Sequence, residues 1–231
     1  MQRDKKTRAK KQLIIFDLDG TLYELHGGSY KKSPLCKAVL RGAVKFIAAR
    51  MSISQARAVR TLDKIIERYG EQISIGLEKE FKLDRYDYFN TVWDIPAHGI
   101  VKNTENSRKI LLGLKKNFQC ALVSDAPHVW IMNVLKELNI TDIFKDKIFS
   151  GEGNQRKEFN NAFVNVARTL KTSTHNCIVV GDQEKTDIIP PRALGMYTIF
   201  VHRTKRSRVA DISIKSIAEL QMALTQIIPH E

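Results

Sequence analysis

The sequence predicts an α/β fold: a doubly wound parallel sheet with a Rossmann-like core and an inserted helical cap. Three observations carry this expectation. Short β-branched runs alternate with helical periodicity through most of the chain, which places helices on both faces of a parallel sheet. The runs are apolar throughout instead of alternating with polar residues, as strands buried on both faces are. One block, residues 33–93, breaks the alternation and reads as helix alone.

Taken in order, residues 12–17 form the first expected strand, and Gly27-Gly28 punctuates the exit from it. Ser33-Pro34 is a helix start signal, an N-cap followed by proline at the first helical position. Leu35, Val39, Ala43 and Phe46/Ile47 then recur at helical spacing. A second helix offers Val59, Leu62, Ile66 and Tyr69 and ends at Gly70. Ile73, Leu77 and Phe81 suggest a third, and Asp84 is placed to cap a fourth carrying Tyr88, Phe89 and Val92. Such short amphipathic helices bury their stripes only against one another or a neighbour. Pro96 and Gly99 punctuate the far side. Strands at 119–124, 147–150, 176–181, 197–201 and 212–214 follow, with helices at about 105–117, 127–138, 155–170, 187–195 and 217–227. The expected domains are a basic tail (1–11), a catalytic core (12–24 with 99–231) and a helical cap (25–98).

Composition narrows the function. The chain has 231 residues and a net charge of +13, which raises a nucleic-acid question. Residues 1–11 carry six bases and one acid, and Arg203, Lys205, Arg206 and Arg208 add four more charges. Those two stretches hold nine of the thirteen, so most of the excess sits in a tail and a loop. No apolar run approaches the ~20 residues of a membrane span, and Leu13–Phe16 is too short for a signal-peptide core. Cys36, Cys120 and Cys177 are odd in number and lack metal-ligand spacing, the pattern of a reduced, cytoplasmic protein.

The chemistry is expected beyond the carboxyl ends of the strands, where open parallel sheets bind ligands. Asp17-Leu18-Asp19-Gly20-Thr21 follows the first strand, Ser124-Asp125 the second, and Gly181-Asp182 the fourth, with Asp187 five residues on. Arg156 and Lys157 stand near the start of the helix after the third. Each has a task in phosphoryl transfer. Asp17 suits a carboxylate nucleophile that forms an aspartyl phosphate. Asp19 suits the acid that protonates the leaving alkoxide and later the base that deprotonates water. Asp182 offers a second carboxylate to an oxygen-ligated Mg²⁺, and Ser124 and Lys157 suit the non-bridging oxygens.

Phe16-Asp17-Leu18-Asp19-Gly20-Thr21-Leu22 resembles the first motif of the haloacid dehalogenase superfamily of phosphohydrolases. Leu122-Val123-Ser124, Lys157, and Val180-Gly181-Asp182 through Asp187 are similar to its later motifs, so the resemblance spans about residues 12–220. It implies Asp17 as nucleophile, Asp19 as acid/base, and phosphate binding at Thr21, Ser124, Asp125 and Lys157. It also implies Mg²⁺ at Asp17, Asp19, Asp182 and Asp187. Asp125 departs from the usual Asn of the family, Gln183 from a common Ser, and Glu158 from a frequent Pro. The stretch around Tyr23 most nearly resembles pyrimidine 5′-nucleotidase-like members.

The expected activity is Mg²⁺-dependent phosphomonoester hydrolysis of a small phosphorylated metabolite, with a nucleoside monophosphate as first choice. A sugar-phosphate phosphatase or phosphomutase is the alternative, as is a nucleic-acid-associated protein acting through the basic tails. The protein is expected as a monomer or homodimer. His26 and His98 flank the cap linkers, where contact with substrate competes with a solvated loop. Tyr86, Tyr88, Phe89 and Trp93 read as cap core in preference to a base-stacking shelf.

Overall fold

The computed structural model describes residues 11–26, 29–101, 106–152, 156–157 and 161–227, leaving most of the basic tail outside it. Its strands are β1 (Leu13–Phe16), β2 (Gln119–Ser124), β3 (Ile148–Ser150), β4 (Cys177–Gly181), β5 (Tyr197–Val201) and β6 (Ile212–Ile214). All pair in parallel, in the order β3-β2-β1-β4-β5-β6. Every residue of β1 is inaccessible to solvent. Because side chains alternate across a strand, β1 feeds two cores. Ile14 and Phe16 join Leu111, Trp130 and Phe144 on one face, and Leu13 and Ile15 join Phe163, Val166 and Val179 on the other.

From β1 the chain builds outward through β2 to β3, then returns to the other side of β1 for β4. The carboxyl ends of β1 and β4 therefore border the crevice where strand order reverses, the place where such sheets hold ligands.

Between β1 and β2 lie α1 (Pro34–Arg50), α2 (Gln55–Tyr69), α3 (Ile73–Phe81) and α4 (Arg85–Val92). The N-caps of α1 and α4 are those the sequence suggests. Ser33 Oγ accepts from the Cys36 amide at 3.1 Å, and Asp84 accepts from the Asp87 amide at 2.7 Å. The interior combines Leu35, Val39, Phe46 and Ile47 of α1 with Leu62, Leu77, Tyr88 and Val92, and Phe46 meets Tyr88 edge-on. Tyr88 and Phe89 are buried as expected, whereas Tyr86 is exposed.

Two local expectations change. The buried stripe of α2 is Ala58, Leu62 and Ile65, while Val59 is 44% exposed. Ile66, also expected in the stripe, is 36% exposed, so the helix turns Ala58 and Ile65 inward in place of Val59 and Ile66. The helix expected at 187–195 is instead a π-helical turn, Glu184–Ile188, followed by α9 (Ile189–Ala193). Pro190 and Pro191 have no amide hydrogen, so they fit only a first helical turn and force a fresh start.

The remaining helices are α5 (Ser107–Lys115), α6 (His128–Glu137), a single turn α7 (Thr141–Phe144), α8 (Asn161–Thr169) and α10 (Leu220–Ile227). Cys36, Cys120 and Cys177 are buried free thiols. Among the described residues no helix is long and apolar enough to cross a membrane.

The α2 packing has a direct test by urea unfolding. Leu62→Ala is expected to cost about 2–5 kcal/mol by leaving a cavity. Val59→Ala, on the outer face, is expected to change stability by less than about 0.5 kcal/mol. Equal effects would mean that the helix buries a different face.

Candidate active site

Asp17 sits just past β1, held by donation from its amide to the Val180 carbonyl at 2.9 Å. Both carboxylate oxygens are engaged. Thr21 Oγ1 donates to Oδ2 at 3.0 Å, and the Lys157 ammonium donates to Oδ1 at 2.7 Å. The same ammonium donates to Asp187 Oδ1 at 2.6 Å. Lys157, Asp17 and Asp187 are 3%, 5% and 0% exposed, so this is a buried charge bridge. Two of the three ammonium hydrogens are used among the described residues, leaving one there for a further acceptor.

Sequence neighbours hold the bridge in place. Asp125, past β2, accepts from the Lys157 amide at 2.8 Å. This side-chain oxygen therefore secures the segment that delivers Lys157. Arg156, the alternative cation, lies with Nη2 4.0 Å from Asp125 Oδ2. Ser124 Oγ accepts from the Ala126 amide at 3.1 Å, which leaves its own hydrogen to donate. Asp187 Oδ2 accepts from the Gln183 amide at 3.0 Å, anchoring the π-helical turn to the end of β4.

Asp182 completes the group. One carboxylate oxygen each from Asp17, Asp182 and Asp187 lie within 4.8 Å of one another. Oδ1 of Asp182 is buried and has no hydrogen-bond partner among the described residues. Gly20, at φ +91°, makes room for this carboxylate, because a β-carbon there would lie 2.3 Å from Asp182 Oδ2. Three converging carboxylates with an unsatisfied buried oxygen fit a hard divalent cation, which prefers oxygen ligands. Asp19 is not a member of this three-carboxylate group. Its Oδ1 instead accepts from Trp130 Nε1 at 2.8 Å and from the Tyr23 hydroxyl.

Crowding of charge away from water governs the titration. Desolvation pushes Asp187 up to about 6, with repulsion from Asp17 adding to it and Lys157 opposing it. Desolvation, with repulsion from Asp17 and Asp187, also raises Asp182 well above the carboxylate range. Burial alone would depress Lys157, yet Asp17, Asp187 and Asp125 outweigh it and hold the ammonium charged. Desolvation raises Asp19 to about 6 against the hydrogen bonds from Trp130 and Tyr23.

The structure thus brings Asp17, Thr21, Ser124, Asp125, Lys157, Asp182 and Asp187 around the strand ends, with Asp19 beside them. His98 instead faces Glu137 of α6 at 3.3 Å, on the surface. Trp130 is the residue at the site that the sequence did not single out. The available signal was a large indole in a helix following a motif strand, whose N–H requires a partner once buried.

The parallel-sheet core thus carries a carboxylate-rich crevice at its switch point. The chain matches the haloacid dehalogenase-like hydrolase family over residues 11–195, and it belongs to that family. It is 27% identical to a glyceraldehyde 3-phosphate phosphatase from Methanocaldococcus jannaschii, covering 90% of this chain and 94% of that one. A protein of the same name from Pyrococcus furiosus is 23% identical over 90% of this chain and 87% of its own. Among solved structures, a HAD phosphatase from Thermococcus onnurineus shares the fold with a TM-score of 0.66 at 19% identity, covering 92% and 97% of the two chains. A magnesium-bound HAD-hydrolase from Bacillus subtilis does so at 0.58 and 16%, covering 94% and 99%.

The raised carboxylates make a signed prediction. A folded-state pKa near 6, above the ordinary carboxylate value, means that the metal-free protein loses stability as pH rises from about 4 through 6. A cation that binds the ionised cluster opposes this loss. Added Mg²⁺ is therefore expected to raise Tm more at pH 7.5 than at pH 5, by thermal unfolding against an EDTA control. Equal increments at both values would show that the cluster is not the binding site.

Proposed function

We propose that this protein is a Mg²⁺-dependent phosphomonoesterase acting on a small sugar phosphate, with Asp17 as nucleophile. The observation that carries the reading is the buried bridge from Lys157 to Asp17 and Asp187 beside the unsatisfied Asp182. Asp17, Asp182 and Asp187 are the residues to hold Mg²⁺, which when bound supplies screening between an anionic ester and the carboxylate that attacks it.

The chain's own groups divide the remaining work. Thr21 and Lys157 orient the Asp17 carboxylate, which attacks phosphorus and forms an aspartyl phosphate while the ester oxygen departs. Asp19 gives a proton to that leaving alkoxide and then takes one from the water that hydrolyses the aspartyl phosphate. Its pKa of about 6 suits both directions near neutral pH. The free hydrogen of Lys157 and the hydroxyl of Ser124 are suited to the non-bridging oxygens.

The helical insert, over residues 25–98, acts as a cap. A cleft of about 400 Å³ runs between it and the core, with Tyr30, Val39, Tyr88 and Trp93 on one side and Asp125 and Arg156 on the other. Such a cover favours small esters over polymers and excludes water on closing. The relatives named glyceraldehyde 3-phosphate phosphatase support a sugar phosphate over the nucleoside monophosphate that the sequence first suggested. Of the basic loop, Arg203 is already engaged with Glu24 at 2.8 Å.

The test is phosphate release by purified protein with Mg²⁺ on triose, pentose and hexose phosphates beside nucleoside monophosphates. Sugar phosphates are expected to show the higher kcat/KM, and the reverse order would return the nucleotide reading. Asp17→Asn is expected to lower kcat by at least about a thousandfold with all of them. No Mg²⁺-dependent release from any ester would remove the phosphatase reading.

A further inference from the structure

We infer that Trp130 and Tyr23 are positioning residues that clamp Asp19 by one oxygen and reserve the other for proton transfer. The inference rests on the proposed acid/base role of Asp19 and adds the groups that aim it.

Trp130 lies on α6, is completely buried, and is 111 residues from Asp19 in the chain. Its indole nitrogen donates to Asp19 Oδ1 at 2.8 Å, and the Tyr23 hydroxyl donates to that same oxygen. An indole N–H is a donor only and has no lone pair to offer. Oδ1 is therefore fixed as an acceptor while the Trp130 bond stands, and a proton carried by the carboxyl group resides on Oδ2. Two donors converging on one oxygen also restrict rotation of the carboxylate.

The two anchors differ in kind. Trp130 packs in the principal core with Ile131, Val134 and Phe144, so its nitrogen is held by a rigid helix. Tyr23, 5% exposed, belongs to the segment leading from β1 toward the cap, where it forms a single bridge with Asp19. The clamp thus ties Asp19 to the core on one side and to the cap linker on the other. A phenylalanine at position 130 would fill most of the same space, so burial alone does not account for an indole there. What the indole adds is the donor.

The consequence depends on the leaving group. A sugar alkoxide needs a proton to depart, whereas p-nitrophenolate leaves without one. Trp130→Phe and Tyr23→Phe keep a ring and remove one donor each. Each is expected to lower the single-turnover rate of glyceraldehyde 3-phosphate cleavage (or of the best sugar phosphate of the panel) by about tenfold or more, within the range of general acid catalysis. KM should stay within about twofold, and the burst of p-nitrophenol from p-nitrophenyl phosphate should fall far less than the sugar ester rate. Later turnovers of p-nitrophenyl phosphate should slow, since Asp19 also activates water.

Equal losses in the burst and with the sugar ester would overturn the inference in favour of a packing role, as would a rise in KM alone. Unchanged rates in both variants would overturn it too. Tyr23→Phe keeps the test open if Trp130→Phe does not fold. Independently of turnover, Trp130 emission in a Trp93→Phe background is expected to shift when Asp19→Ala removes the acceptor; an unshifted spectrum contradicts the clamp. Asp19→Asn separates the two levels. Full sugar ester turnover in that variant defeats the acid/base reading itself, whereas its loss beside unaffected Trp130 and Tyr23 variants defeats only the clamp.

Discussion

The Lys157 ammonium, buried between Asp17 and Asp187, is the interaction around which the site is arranged. Removing a charge from water costs several kcal/mol, and a lone buried carboxylate would protonate instead. Here one cation answers two carboxylates that come from opposite sides of the switch point, one after β1 and one after β4. The bridge orients the Asp17 carboxylate and ties two strand ends together. Asp182 stands beside the bridge with a buried oxygen that has no hydrogen-bond partner among the described residues. Such a group of oxygen donors fits a divalent cation.

Delivery of Lys157 depends on contacts made by the loops around it. Asp125 fastens its amide, and the end of β2 and the start of β3's exit loop are brought together to allow it. A β-carbon at Gly151 would lie 2.8 Å from the Asp125 backbone, so the two loops touch there. Asp125 departs from the family's usual residue; its Oδ1 accepts from the Lys157 amide, as an Asn oxygen also would, and its charge faces Arg156. The charge bridge is intact.

Much of the architecture was legible in the chain. Apolar β-branched runs ending in Asp or Ser are strands of a two-sided sheet, and six strands lie where those runs lie. Cap signals at Ser33 and Asp84 were equally readable, because an N-cap acts within three residues. The face of α2 was not, since Val59 and Ala58 both suit an apolar stripe and only the approach of α1 and α3 chooses between them. Pro190-Pro191 was visible as an oddity, but its effect, a π-helical turn before a new helix, is seen only in the structure.

Within the site, the sequence by itself determined which groups stand at the strand ends. Carboxylates, a hydroxyl and a lysine there are set by residue type and local spacing alone. Only the tertiary structure decided how those groups are paired. Asp17 meets Lys157 across 140 residues, and Asp19 meets Trp130 across 111. It separated Asp19 from the carboxylates that converge, leaving it to two neutral donors. The physical reason is that ionisation and hydrogen bonding depend on distances of a few ångströms. Those distances are set where β1, β4 and α6 pack, and a linear pattern of residues does not contain them.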